Sequence, residues 1–143
     1  MVVAYYAPEA MSEDAERVLR LFAPPAISDL VEVELFSALA RKVRQRELVL
    51  EDAGRIRTHF LSHLAGGFFD RFPLGREHYQ LARHWLAAGE PPLRSLDALH
   101  LAVAAVADLT LATGDRGLAS AAKALGLKTL LVEEGSTSTV HEG

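Results

Sequence analysis

The stretch LTLATGDRGLASAAKALGLKTLLV, residues 109–132, decides the fold class. Two short apolar segments, 109–113 and 128–132, flank roughly ten residues whose apolar side chains follow helical spacing. Asp115 can cap this helix, and Gly126 can end it. A strand, a helix and a second strand in this order form a βαβ unit, which requires parallel strands and a right-handed crossover. The stretch therefore predicts an α/β fold with a parallel sheet.

The remaining sequence predicts further helices and strands of the same kind of fold. Helix caps, apolar spacing and the positions of Gly and Pro set the expected boundaries. One predicted helix starts at Ser12, and four more run over about 29–46, 50–64, 76–88 and 95–107, the last with Ser95 as its cap. The predicted strands in this part of the chain are 26–28 and 68–72. We expect one domain over residues 1–134, followed by a polar flexible tail at 135–143.

Composition narrows the class of protein. Half of the 143 residues are hydrophobic and 24% are charged, which suits a folded core. The net charge of −4 means that a nucleic-acid-binding role would need metal ions or a local basic patch. There are no cysteines, so disulfides and thiolate chemistry are excluded. We find no membrane span and no signal peptide, which predicts a soluble cytoplasmic protein.

Two aspartates are candidate metal ligands. Asp97 lies in the first turn of a helix that is apolar almost all round, and a buried carboxylate needs a partner or a metal. Asp115 lies two residues beyond a predicted strand, at the sheet edge where ligands of parallel sheets bind. Each has an ordinary alternative role, because Asp97 can stabilise the helix dipole and Asp115 can serve as an N-cap.

A third carboxylate comes from the long helix after residue 28. Glu34 has apolar or small neighbours one turn away on either side, so it faces the body of the domain or a cleft. Glu32 points to the other side, which also carries apolar residues. Periodicity alone leaves the choice between Glu34 and Glu32 open.

Other polar groups favour ordinary structural roles. Arg41, Lys42, Arg44 and Arg46 end the Glu34 helix, where cations complement the helix dipole, although they could also follow a phosphate backbone. His59 and His63 have metal-chelating spacing without an evident third ligand, so a solvated helix face is favoured.

Taken in order, these segments resemble the PIN domain family, and most closely its VapC toxins. The three stretches that carry the resemblance are ISDLVEVELFSALAR (27–41), LRSLDALHLA (93–102) and LATGDRGL (111–118). The acids at the family's motif positions are Glu34, Asp97 and Asp115. The resemblance therefore selects Glu34 over Glu32.

The resemblance implies a three-layer sandwich with a central parallel sheet and a Mg²⁺- or Mn²⁺-dependent endoribonuclease. Asp97 would be a main metal ligand, and Asp115 and Glu34 would hold metal-bound waters or a second ion. Thr113 would orient an acid, and Arg116 could meet an RNA phosphate. A toxin of this kind implies a homodimer and an antitoxin protein that blocks the cleft.

The start of the chain departs from the family pattern. In that pattern a first strand ends in Asp and then Ser or Thr, and a short helix comes after it. The segment MVVAYYAPE (1–9) resembles the start of this helix, so we expect the first strand and its carboxylate to be absent. A recorded start downstream of the true one and an impaired protein are both open explanations.

Two alternative functions remain open at this point. The first is an inactive PIN-like binding or scaffold module, which the absent first acid favours. The second is another carboxylate–metal enzyme, such as a phosphatase acting on small phosphate esters.

Overall fold

The computed structural model describes residues 25–132, which form an α/β arrangement of five helices and four short strands. In chain order the elements are β1 (Ala26–Ser28), α1 (Asp29–Arg44), α2 (Leu50–Ala65), β2 (Asp70–Phe72), α3 (Arg76–Ala88), α4 (Ser95–Val106), β3 (Leu111–Thr113), α5 (Arg116–Ala124) and β4 (Thr129–Leu131). The predictions for residues 1–24 and for the tail lie outside the described residues.

The strands form two parallel pairs. β1 pairs with β2 in the register Ala26↔Asp70, and β3 pairs with β4 in the register Leu111↔Thr129. The β3–α5–β4 unit confirms the predicted parallel βαβ arrangement, and the α/β class is confirmed with it. Within residues 25–132 the parallel strands form two small sheets of two strands each.

Large side chains fill the core of the first half of the described chain, residues 26–72. Leu35, Leu39 and Phe60 are fully buried there, on α1 and α2. The ring of Phe60 lies 6.0 Å from that of Phe69, just before β2. The apolar stripes of two amphipathic helices therefore meet over the β1–β2 pair.

Small side chains dominate the core of the second half, residues 76–131. Ala98 and Ala102 on α4 are fully buried and pack with Ala82 on α3. On another side of α4, Leu101 packs with Leu111 of β3. These contacts confirm that α4 is a buried helix, and its alanines allow α3 to approach closely.

The helix ends explain where the predicted boundaries were right and where they were wrong. α2 ends at Ala65 and α5 at Ala124, and each is followed two residues later by a glycine with a positive φ, Gly67 and Gly126. The end of α5 before Gly126 was predicted. The helix predicted to reach Arg46 stops at Arg44, because Arg46 takes a left-handed conformation with φ 59° and its N–H bonds the Val43 carbonyl. Asp108, with φ 53°, ends α4 in the same way.

Three smaller boundary predictions were also wrong. Arg94, and not Ser95, is the N-cap residue of α4, and no side chain caps this helix. The strands predicted to begin at 68 and 109 begin two residues later. Both come after a turn that satisfies the carbonyls of the preceding helix, which leaves those first apolar residues outside the strand ladder.

Within residues 25–132, each helix is too short or too polar to span a membrane.

Candidate functional site

The predicted acids Glu34, Asp97 and Asp115 line one cavity of about 700 Å³, which we call the acidic cavity. α1 supplies the first acid, the first turn of α4 the second, and the N-cap of α5 the third. The cavity lies just beyond the C-terminal end of β3, where parallel sheets bind ligands. Elements of both halves therefore meet at one site.

Glu34 reaches the acidic cavity because the apolar face of α1 turns it inward. Its neighbours Val31 and Leu35 are buried, and its own side chain is 25% exposed. Glu32 lies instead beside Arg71 of β2, at 3.4 Å between the charged atoms. The structure thus places Glu34 at the cavity and Glu32 in a surface ion pair.

Asp97 has the most perturbed environment in the acidic cavity. Partial burial raises its pKa above the ordinary 3.8, and the negative charges of Asp115 and Glu34 raise it further, whereas His100 and Arg94 partly offset them. Among residues 25–132, no arginine or lysine forms an ion pair with Asp97. An ionised carboxylate in this position would be favoured by a positive charge placed beside it.

Asp115 is held by two hydrogen bonds at the start of α5. Its Oδ1 accepts from the backbone N–H of Leu118 at 3.1 Å, so the predicted N-cap is present. Its own backbone N–H donates to Oγ1 of Thr113 at 3.1 Å. Thr113 is buried at the end of β3, and it fixes the backbone from which Asp115 projects.

The structure adds two residues that sequence reasoning missed. His100, on the buried helix α4, lies with Nε2 2.6 Å from Oε2 of Glu34. Arg94 lines the acidic cavity beside Asp97. The signal for His100 was present in the sequence, since it is a polar residue in an apolar helix and lies one turn after Asp97.

The two arginines predicted to contact RNA are not lining residues of the acidic cavity. Arg41 is exposed in the last turn of α1, about 10 Å along the helix from Glu34. Arg116 is exposed at the first position of α5. Of Arg41, Arg94 and Arg116, only Arg94 lines the acidic cavity.

His59 and His63 take part in packing. Their rings lie 4.1 Å apart, and the His63 ring stacks on Phe68 at 4.7 Å. His59 is exposed and His63 is half-buried, so the face predicted to be solvated is partly covered.

The donor set of the acidic cavity suits a hard divalent cation. Carboxylate oxygens are the ligands that Mg²⁺ and Mn²⁺ prefer, and Mg²⁺ keeps several of its waters when bound. Among residues 25–132, no three acidic or histidine side chains stand close enough to form a complete metal site. The described carboxylates can therefore supply part of a coordination shell, with water completing it.

A family comparison agrees with this fold and site. The PIN domain model matches residues 1–124, which is most of the chain. The protein therefore belongs to the PIN domain family, a nuclease superfamily whose members are generally metal-dependent. No curated protein matches the chain.

Proposed function

We propose that this protein is a Mg²⁺- or Mn²⁺-dependent endoribonuclease that hydrolyses phosphodiester bonds of RNA. The observation that carries the proposal is Asp97, whose pKa is raised by burial and by Asp115 and Glu34 in one cavity. Perturbed carboxylates in a cleft are typical of functional sites. Membership of the PIN domain family supports a nuclease function for this site.

Each acid has a separate role in this proposal. Asp97 is the main metal ligand among the described residues, and Asp115 and Glu34 hold metal-bound waters or a second ion. A bound Mg²⁺ or Mn²⁺ supplies a more acidic water and positive charge beside the phosphate. Thr113 keeps Asp115 in place through the backbone N–H.

Arg94 is the residue that we propose to contact the RNA phosphate. It lines the acidic cavity next to Asp97, so its guanidinium can meet a phosphate oxygen while the carboxylates face the cation. Arg41 and Arg116 are more distant cations that would contact the RNA backbone outside the cavity.

The resemblance of the acidic motifs to those of VapC toxins supports a more specific role, that of the toxin in a VapBC-type toxin–antitoxin pair. This role entails a cytoplasmic homodimer and an antitoxin that blocks the acidic cavity. A basic side chain of the antitoxin would suit a cavity lined by three carboxylates.

The test is RNA cleavage with Mg²⁺ or Mn²⁺ by the wild-type chain and by Asp97→Asn. We expect a loss of roughly 100-fold or more in the variant, since even residues that only support metal ligands cost up to this factor. Asp108→Asn is the matched control, because Asp108 is exposed and pairs with Lys128 at 3.1 Å. Equal cleavage by wild type and Asp97→Asn would exclude Asp97 from the reaction.

One observation favours a second candidate, an inactive PIN-like module that binds RNA or protein. Within residues 25–132, the acids do not form a three-ligand cluster. This candidate predicts a folded protein without measurable Mn²⁺ binding and without cleavage of RNA at any metal concentration.

A further inference from the structure

We infer that His100 is a positioning residue that fixes the carboxylate of Glu34 at the acidic cavity. The inference rests on the proposed metal-dependent function, because it assigns His100 a role in arranging the acids of that same site. Its basis is one contact between the two halves of the described chain, at 2.6 Å between His100 Nε2 and Glu34 Oε2.

The direction of this hydrogen bond depends on the chemistry of the two groups. An ionised carboxylate can only accept, so His100 donates through Nε2–H. Its other ring nitrogen, Nδ1, is buried and has no hydrogen-bond partner among residues 25–132. The bond to Glu34 therefore requires a proton on Nε2, whichever state Nδ1 takes.

Packing alone does not explain a histidine at this position. His100 is only 4% exposed, in a helix whose other buried residues are alanine, leucine and valine. A leucine would fill the space without leaving a buried polar atom unpaired, which is a cost that native structures usually avoid. The hydrogen bond to Glu34 is what the histidine adds.

The bond links Glu34, the acid of the first half, to α4, the helix of the second half that carries Asp97. His100 and Asp97 lie one turn apart on α4, so they share a helix face. By holding Glu34 Oε2, His100 fixes the α1 carboxylate relative to Asp97. Oε1 of Glu34 has no hydrogen bond within residues 25–132 and remains available to a cation or its water.

Supporting residues of this kind commonly change metal affinity by about 10- to 100-fold when they are replaced. We therefore expect His100→Leu to weaken Mn²⁺ binding by at least about tenfold, measured from the free-Mn²⁺ EPR signal. His100→Gln should recover most of the affinity, because its amide N–H can replace Nε2–H. Circular dichroism shows whether each variant keeps its fold.

A double-mutant cycle separates positioning from a general structural effect. If His100 acts through Glu34, His100→Leu should cause no further loss of Mn²⁺ affinity in a Glu34→Gln background. Additive losses, or a His100→Gln variant as weak as His100→Leu, would overturn the inference.

A metal-free measurement keeps this inference separate from the proposed function. Long-range ¹H–¹⁵N NMR spectra, with His100 assigned by comparison with His100→Gln, should show the proton on Nε2. A proton on Nδ1 alone would overturn the positioning role whatever the metal binding. Wild-type protein with the expected tautomer but without Mn²⁺ binding would overturn the metal-dependent function and, with it, the role of His100 at that site.

Discussion

The two halves of the described chain build similar units from different side chains. Residues 26–72 and residues 76–131 each contain one parallel strand pair covered by helices. The first half has leucine and phenylalanine in its core, whereas the second has alanine-lined helices in close contact. The second half supplies two acids to the acidic cavity, and the first supplies Glu34. Joining the halves correctly is therefore a condition for completing the site.

The largest expected effect comes from the core of the first half. Phe60→Ala should lower the free energy of unfolding by about 3–5 kcal/mol, because it removes a fully buried ring and leaves a cavity. Urea unfolding can be followed by fluorescence of Trp85, the single tryptophan, which lies in the second half. If the halves unfold as one unit, the fluorescence of Trp85 reports the full decrease in the free energy of unfolding.

The exposed neighbour Leu61, on the same helix, provides the control for this comparison. Leu61→Ala should change the free energy of unfolding by no more than about 0.5 kcal/mol. A Trp85 transition that Phe60→Ala leaves unchanged would show that the two halves are independent folding units.

An intermediate effect is expected at Asp115, which has both a structural and a proposed functional role. Asp115→Ala should cost about 1 kcal/mol of stability, because the N–H of Leu118 loses its cap. Asp115→Asn keeps a capping oxygen and should stay close to wild type in urea unfolding, while its Mn²⁺ affinity falls. Equal Mn²⁺ affinity in Asp115→Asn and wild type would leave Asp115 with the cap role alone.

The smallest expected effect is a pH dependence at Asp97. Folding raises the pKa of this carboxyl above 3.8, so the folded state holds the proton more tightly than the unfolded chain. The contribution of Asp97 to the free energy of unfolding is fully present below pH 3.8 and is lost as the pH rises through the raised pKa. In EDTA, Asp97→Asn should therefore be more stable than wild type at neutral pH, with a difference that shrinks as the pH falls toward the ordinary pKa.

This pH dependence is checked by urea unfolding between neutral pH and pH 3.8, with Asp108→Asn as the exposed control. A stability difference between wild type and Asp97→Asn that grows toward acid pH would have the wrong sign for a raised pKa.

The sequence predicted the features that depend on neighbours along the chain. The βαβ unit, the Asp115 cap and the helix end before Gly126 come from local spacing and turn chemistry, and the structure contains all of them. The left-handed Arg46 was not predicted, because arginine has no special preference for that conformation.

Long-range contacts set the limit of sequence reasoning at the site. Glu32 pairs with Arg71, 39 residues away, and periodicity could not show this contact. His100 lies 66 residues from Glu34 in sequence, so their contact became visible only with the fold. The family resemblance selected Glu34 without giving the reason for its placement.

The most direct test of a site shared by both halves is Mn²⁺ binding to Glu34→Gln and Glu32→Gln, measured by EPR beside wild type. The two glutamates lie two residues apart on one helix, and of the two only Glu34 lines the acidic cavity. We predict that Glu34→Gln weakens binding by about tenfold or more and that Glu32→Gln leaves it unchanged. Equal affinities in both variants and wild type would contradict a metal site that includes the first half.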